Sequence, residues 1–196
     1  MILLIAAVLG YLLGSVPFGL VLTRAAGIDL RSIGSGNIGA TNVLRTGRKG
    51  LALATLLLDS GKGAIAALLA LGLTGSVEVS ISAGFFAVLG HNFPIWLNFH
   101  GGKGVATTLG VLIATSWPVG LAACATWLLV AAIFRYSSLA ALVALVAAPA
   151  YAWTLATPLH TAMAATLALL AILRHRDNIG RLIAGTEGKI GGKKKS

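Results

Sequence analysis

Two glycine-rich segments of this chain combine turn-forming backbone with hydroxyl, amide and cationic side chains. The first is Gly34-Ser35-Gly36-Asn37-Ile38-Gly39-Ala40-Thr41-Asn42 with Arg45 just beyond, and the second is Gly101-Gly102-Lys103-Gly104. Glycines let successive backbone N–H groups turn toward one point, a following helix adds its positive N-terminal end, and Arg or Lys completes the neutralisation of a phosphate. With Ser35, Asn37, Thr41 and Arg45 in one loop and Lys103 in the other, one substrate anion can engage both. The alternative, glycines that only permit tight turns and close helix packing, leaves the polar residues between them unexplained.

The elements that position these loops are long apolar runs. The 196-residue chain is 57% apolar and 10% charged, the composition of a polytopic helical membrane protein. The expected spans are 2–22, 50–73, 79–97, 105–117, 118–134, 138–156 and 159–173. These seven helices have about 13 to 24 residues each, against the roughly 20 needed to cross a bilayer, and the fourth is short. The first run begins at Met1 without a basic leader, so it is expected to stay as a helix rather than be removed as a signal peptide. Residues 1–190 form one membrane domain and 191–196 a basic tail. Cys124 is the sole cysteine, which excludes a disulfide framework and a cysteine-based zinc site, and reads as a small buried hydrophobe.

The formal net charge is +10, yet the basic residues are not interleaved with aromatics on a polar face, which argues against nucleic acid. Topology accounts for them. With seven spans, Arg24, Arg31, Arg45, Arg48, Lys49, Lys103, Arg135, Arg174, Arg176, Arg181, Lys189 and Lys193 to Lys195 fall on one side, and the opposite loops carry only Glu78. The positive-inside rule then puts the N-terminus outside and the glycine loops and C-terminus in the cytoplasm. A five-span arrangement keeps the loops on the same side. Gly39-Ala40-Thr41 and Gly104-Val105-Ala106-Thr107 echo each other faintly, but on one side of the membrane, which gives no support to an inverted-repeat transporter.

Gly34, Gly36 and Gly39 also spell a dinucleotide-type G-x-G-x-x-G with Asp59 twenty residues on, but a membrane helix, not a strand, precedes it. Lys103 is followed by Gly104, so no Walker A pattern exists either. Asp59 and Lys62 lie three apart within the second run, where an isolated charge costs about 2.5 to 3.5 kcal/mol. They are expected to form an internal ion pair that orients this helix, the alternative being a Lys62 that faces a substrate pocket. Gly90-His91-Asn92-Phe93-Pro94 ends the third run with a polar break, and His91 is placed to support the second loop by hydrogen bonds. If Arg174 to Leu182 continues as a helix, His175 and Asn178 share a face toward the common site. Arg174, Arg181 and the Lys193 to Lys195 tail read as snorkelling basic ends.

Three blocks carry a resemblance: G-S-G-N-I-G-A-T-N-V-L-R at 34–45, G-H-N-F-P with G-G-K-G-V-A-T at 90–94 and 101–107, and R-H-R-D-N at 174–178. Together with Leu58-Asp59-Ser60-Gly61-Lys62-Gly63, they resemble the motifs of the bacterial acyl-phosphate:glycerol-3-phosphate acyltransferases, in order and over nearly the whole chain. The resemblance implies transfer of a fatty acyl group from acyl phosphate to the sn-1 hydroxyl of glycerol 3-phosphate. The products are lysophosphatidic acid and inorganic phosphate, in phospholipid synthesis at the bacterial inner membrane.

Carried over residue by residue, the resemblance assigns Ser35, Asn37 and Thr41, with backbone N–H groups of Gly36, Gly39, Ala40 and Gly102, to the acyl-phosphate head. Arg45, Lys103, Ser138, His175 and Asn178 would position glycerol 3-phosphate. Ser35, Arg45, Lys103, His175 and Asn178 form the implied catalytic set. The acyl chain would run between helices toward the lipid. An activated mixed anhydride needs alignment and charge stabilisation rather than a covalent nucleophile. No histidine here has an aspartate five positions later, the base arrangement of other glycerolipid acyltransferases, so the proton acceptor is a substrate phosphate oxygen or His175. No cofactor, metal or obligate protein partner is expected; acyl phosphate, glycerol 3-phosphate and membrane lipids are the partners. An anion transporter would place polar groups through the membrane, but the outer halves of these helices are apolar. A metal-dependent phosphatidyl-type transferase needs clustered carboxylates, and the five acids are scattered at 29, 59, 78, 177 and 187.

Overall fold

The computed structural model describes residues 1–191; Lys193 to Lys195 of the basic tail lie outside the described residues. Among these the regular elements are all helical. In order they are α1 (Ile2–Gly14), α2 (Phe18–Ala25), α3 (Ala40–Leu44), α4 (Lys49–Thr74), α5 (Val77–Asn92), α6 (Val105–Thr115), α7 (Trp117–Phe134), α8 (Ser137–Leu155), α9 (Pro158–Arg174) and α10 (Arg176–Ile183), with 3₁₀ turns at Leu30–Ser32 and Ile95–Leu97. Five stretches are long and apolar enough to cross a membrane: Ile2–Ala25, Lys49–Thr74, Val77–Leu97, Trp117–Phe134 and Ser137–Leu155. The apolar helices α6 and α9 are shorter. Leucines such as Leu57, Leu69, Leu128 and Leu173 point outward, each more than half exposed, as expected where lipid rather than water is the solvent.

Close packing rests on small residues. A Cβ at Gly14 would lie 2.0 Å from the Ala87 carbonyl oxygen of α5, and one at Gly110 would lie 2.1 Å from the Ser60 carbonyl oxygen of α4. For these glycines the packing explanation is the right one. A central cluster of Val88, Val111, Leu112, Leu145 and Leu167 joins α5, α6, α8 and α9. A second cluster of Leu20, Leu30, Ile38, Val43 and Ala52 lies under the first glycine loop.

Helix α1 gives way to α2 at Ser15-Val16-Pro17. Proline has no N–H to continue the ladder, and the next amides regroup: Leu20 and Val21 both donate to the Pro17 carbonyl, at 3.0 Å each. The Val16 carbonyl thereby loses its usual helical partner and instead accepts from the Phe18 amide at 3.1 Å and the Lys62 ammonium at 2.8 Å. Lys62 in turn pairs with Asp59 at 2.8 Å, both side chains buried, so the expected internal ion pair forms.

The connections fall on two ends. One end holds the tight connections at Gly75-Ser76, Ser116 and Ala156-Thr157, with His160 tied to the Thr115 carbonyl at 3.0 Å. The other gathers residues 26–48, 93–104 and 135–136 with α10 and the strand-free segment after it. Cross-contacts prove the gathering: Arg31 to the His100 carbonyl at 2.9 Å, Thr41 to Ser137 at 2.9 Å, and Ser138 to Glu187 at 2.7 Å.

Candidate functional site

The first glycine loop is organised by Asn42. This buried amide donates to three carbonyls, Leu30 at 3.2 Å, Ile33 at 2.9 Å and Asn37 at 2.9 Å. Its oxygen accepts from the Ser35 amide at 3.2 Å and lies 3.5 Å from the Ser35 hydroxyl. Gly34 and Gly36 take positive φ, +56° and +67°, which only glycine adopts cheaply. Asn37 accepts from the Gly39 amide at 3.1 Å, and Gly39 leads into the five-residue α3. Arg45 is exposed, and its side chain packs across Gly34.

Different groups hold the second loop. The amides of Gly101 and Gly102 donate back to the carbonyls of Asn92 and His91, at 3.2 and 3.0 Å. Arg174 closes on the other side, its guanidinium donating to the Gly101 carbonyl at 3.1 Å and to the Gly102 carbonyl at 2.9 and 3.1 Å, while it stacks over Phe93 at 5.1 Å. A Cβ at Gly102 would sit 2.1 Å from His91 Nε2, so no other residue fits there. The Gly102 N–H expected to face an anion is therefore engaged by the backbone, a difference caused by the fold of the loop onto α5. Arg174, expected to snorkel into lipid, turns inward because α9 ends beside these two carbonyls.

Lys103 reaches across and donates to the Asn178 side-chain oxygen. The same Asn178 donates to Glu187 at 2.6 Å, Ser138 donates to Glu187 at 2.7 Å, and Arg181 pairs with Glu187 at 2.7 Å. Gly188 brings the chain to within reach of Arg45, whose Nη2 lies 3.2 Å from where its Cβ would be. Arg181 thus pairs with one carboxylate while Lys103 and Arg45 lie nearby, leaving an excess of positive charge suited to a phosphate.

The chain bends at His175 rather than continuing as one helix, so α9 and α10 meet there. His175 Nδ1 lies 2.8 Å from the Ala171 carbonyl, which fixes the proton on Nδ1 and leaves Nε2 as an acceptor. Burial, with the nearby Lys103 and Arg174 charges outweighing the Ala171 bond, drives its pKa down to about 4, and the ring is neutral at pH 7. Burial likewise pushes Lys103 down to about 8, with Arg181 and Arg45 adding to the effect and Glu187 opposing it. For Glu187 burial works against the charge, but the bonds from Ser138, Asn178 and Arg181 prevail and hold its carboxyl below the usual value.

The fold thus brings Arg45, Lys103, Ser138, His175 and Asn178 to one end, with Ser35, Gly36, Asn37, Gly39, Ala40, Thr41 and Gly102 on the loops beside them. Ser137, Arg174 and Glu187 join these groups through contacts distant in sequence, which sequence reasoning does not reach; Asn42 and Arg181 act through near neighbours in the chain. Among the described residues no group of histidine, cysteine and carboxylate side chains is arranged to hold a metal ion.

These features define a multi-pass membrane protein with a cationic, glycine-lined site at one end of its helices. The family model for glycerol-3-phosphate acyltransferase matches residues 4–185, and the chain belongs to that family. It is 70% identical to the glycerol-3-phosphate acyltransferase of Rhodospirillum rubrum, over 98% of this chain and 93% of that one. It is 67% identical to that of Paramagnetospirillum magneticum, over 98% and 96%. Among solved structures it is similar to PlsY (YgiH), an integral membrane glycerol 3-phosphate acyltransferase. The glycerol 3-phosphate form aligns with TM-score 0.90 and 42% identity over 95% of this chain and 94% of that one. The lysophosphatidic acid form aligns with TM-score 0.88 and 40% identity over the same shares.

Proposed function

We propose that this glycerol-3-phosphate acyltransferase takes its acyl group from acyl phosphate and delivers it to the sn-1 hydroxyl of glycerol 3-phosphate. The cluster of Arg45, Lys103 and Arg181 around the donors Ser138 and Asn178 is the observation that carries the proposal. Two phosphorylated reactants need more positive charge than one turn supplies, and here several chain segments converge. Glycerol 3-phosphate sits with its phosphate toward Arg45, Lys103, Ser138 and Asn178, and the acyl-phosphate head lies along Ser35, Asn37 and Thr41. The acyl chain leaves between helices into lipid.

The sn-1 oxygen attacks the acyl carbonyl carbon, the anhydride bond between that carbon and the phosphate oxygen breaks, and inorganic phosphate departs. The hydroxyl proton passes to a phosphate oxygen of the substrate. His175, neutral with Nε2 free to accept, orients or receives that proton in the protein-based variant of the step. In this reading the chain makes seven crossings, α1 counted with α2 and the short α6 and α9 included, with the N-terminus outside and the site on the cytoplasmic face of the inner membrane; the one-sided distribution of basic residues supports it. Residues 1–190 act as one domain, without cofactor or obligate protein partner.

Purified protein given acyl phosphate and glycerol 3-phosphate, with chelator present, is expected to release one inorganic phosphate per lysophosphatidic acid formed. Acyl-CoA is expected to serve poorly. Equal or better turnover with acyl-CoA overturns the donor assignment.

A further inference from the structure

The buried Asp59–Lys62 pair connects, through different partners, to both glycine loops. On one side the Lys62 ammonium holds the Val16 carbonyl at 2.8 Å and lies over the Phe18 ring at 5.7 Å, at the break that launches α2. Helix α2 is the platform of the first loop: a Cβ at Gly19 would fall 1.9 Å from the Ile38 carbonyl oxygen. On the other side Asp59 Oδ1 lies 3.7 Å from His91 Nδ1. The opposite edge of that ring abuts Gly102, where an added Cβ would lie 2.1 Å from Nε2, and the His91 carbonyl accepts the Gly102 amide at 3.0 Å. Asp59 and Lys62 are each 2% exposed, so neither touches a substrate in the open site.

We infer that the Asp59–Lys62 pair, with His91, is a positioning joint that fixes the spacing between the two glycine loops, and so between Arg45 and Lys103. A pair that served only to neutralise two buried charges would need neither partner. An apolar pair of similar size would serve as well, and replacing a buried ion pair in that way is often neutral for stability. Here the cation is spent on the Val16 carbonyl at the Pro17 break, which it shares with the Phe18 amide, and the anion faces the histidine that seats Gly102. One ion pair thereby bonds to the base of the first loop through Lys62 and packs its carboxylate against the histidine under the second.

This inference rests on the proposal that both loops serve one reaction, so its test includes a readout independent of the acyl donor. The double variant Asp59→Leu with Lys62→Met is expected to keep the melting temperature of the parent in detergent. Its affinity for glycerol 3-phosphate, measured by thermal-shift titration without any donor, should fall about 10-fold, and kcat with saturating substrates about 100-fold, the scale of a displacement near 1 Å. His91→Phe, which keeps a ring against Gly102 but removes the nitrogen facing Asp59, should lower kcat in the same direction at unchanged melting temperature; it decides the matter if the double variant does not fold. Parent-like affinity and kcat in a folded variant overturn the joint. Loss of acyl-phosphate turnover by the parent itself, with glycerol 3-phosphate affinity intact, would instead count against the donor assignment.

Discussion

The first glycine loop is tied from within and the second from without. Asn42, seven residues after Ser35, knots its own loop through carbonyls at 30, 33 and 37. The second loop is seated on His91 and clamped by Arg174, a residue more than seventy positions later in the chain. A locally knotted loop keeps its shape while the rest of the molecule adjusts. A clamped loop takes its shape from the packing of α5 and α9, so its geometry responds to changes far from the site.

The largest effect is expected where the internal knot is cut. Asn42→Ala strips the Asn37 carbonyl of its donor and removes one of two donors from the Leu30 and Ile33 carbonyls, at a cost of about 1 to 3 kcal/mol, and should lower activity more than about 100-fold along with the melting temperature. Asn42→Asp, which keeps the acceptor for Ser35 but loses both donated hydrogens, should be about as damaging. Near-normal turnover of either variant would show that the first loop is not self-supporting.

Arg174→Lys tests the external clamp. A lysine cannot fork between two carbonyls, so turnover should fall roughly 10- to 100-fold with a smaller loss of thermal stability, because the carbonyls near the surface can turn to water. A parent-like rate would mean that His91 alone seats the second loop.

The charged groups between the loops give a pH signature. Lys103, with its pKa near 8, carries its charge below that pH and loses it above. A profile of kcat/KM should therefore fall tenfold per pH unit beyond about 8, and Lys103→Arg should move that limb upward, since a guanidinium stays charged. His175, at about 4, is neutral throughout pH 6 to 8 and should contribute no limb there. A break near 6.5 that vanishes in His175→Gln would contradict its burial.

The smallest effect is expected outside both loops. Gly61 in α4 has open space around an added Cβ, so Gly61→Ala should stabilise the helix by up to about 1 kcal/mol and leave turnover unchanged. Gly102→Ala, by contrast, cannot be accommodated beside the His91 ring.

Much of this architecture is legible in the sequence, for reasons the contrast makes plain. Apolar runs mark α4, α5, α7 and α8, whose ends fall within a few residues of those expected, because lipid exposure leaves composition as the dominant signal. The first loop is legible too, since Gly34, Ser35, Asn37 and Thr41 act where they stand. The second is less so. Arg174 reads as a lipid-facing basic end, and only the meeting of α9 with residues 101–102 gives it two carbonyls to hold. Glu187 has no local pattern at all; its three donors come from Ser138, Asn178 and Arg181, on two different elements. The break at His175 is equally silent, because the surrounding residues suit a continuous helix.

The central claim is that groups from both loops and from α10 share a single phosphorylated occupant. A structure with glycerol 3-phosphate bound tests it most directly: the phosphate should lie within hydrogen-bond distance of both Arg45 and Lys103, with Ser138 or Asn178 completing its shell. A phosphate held by one loop alone, with the other loop's cation facing solvent, would contradict it.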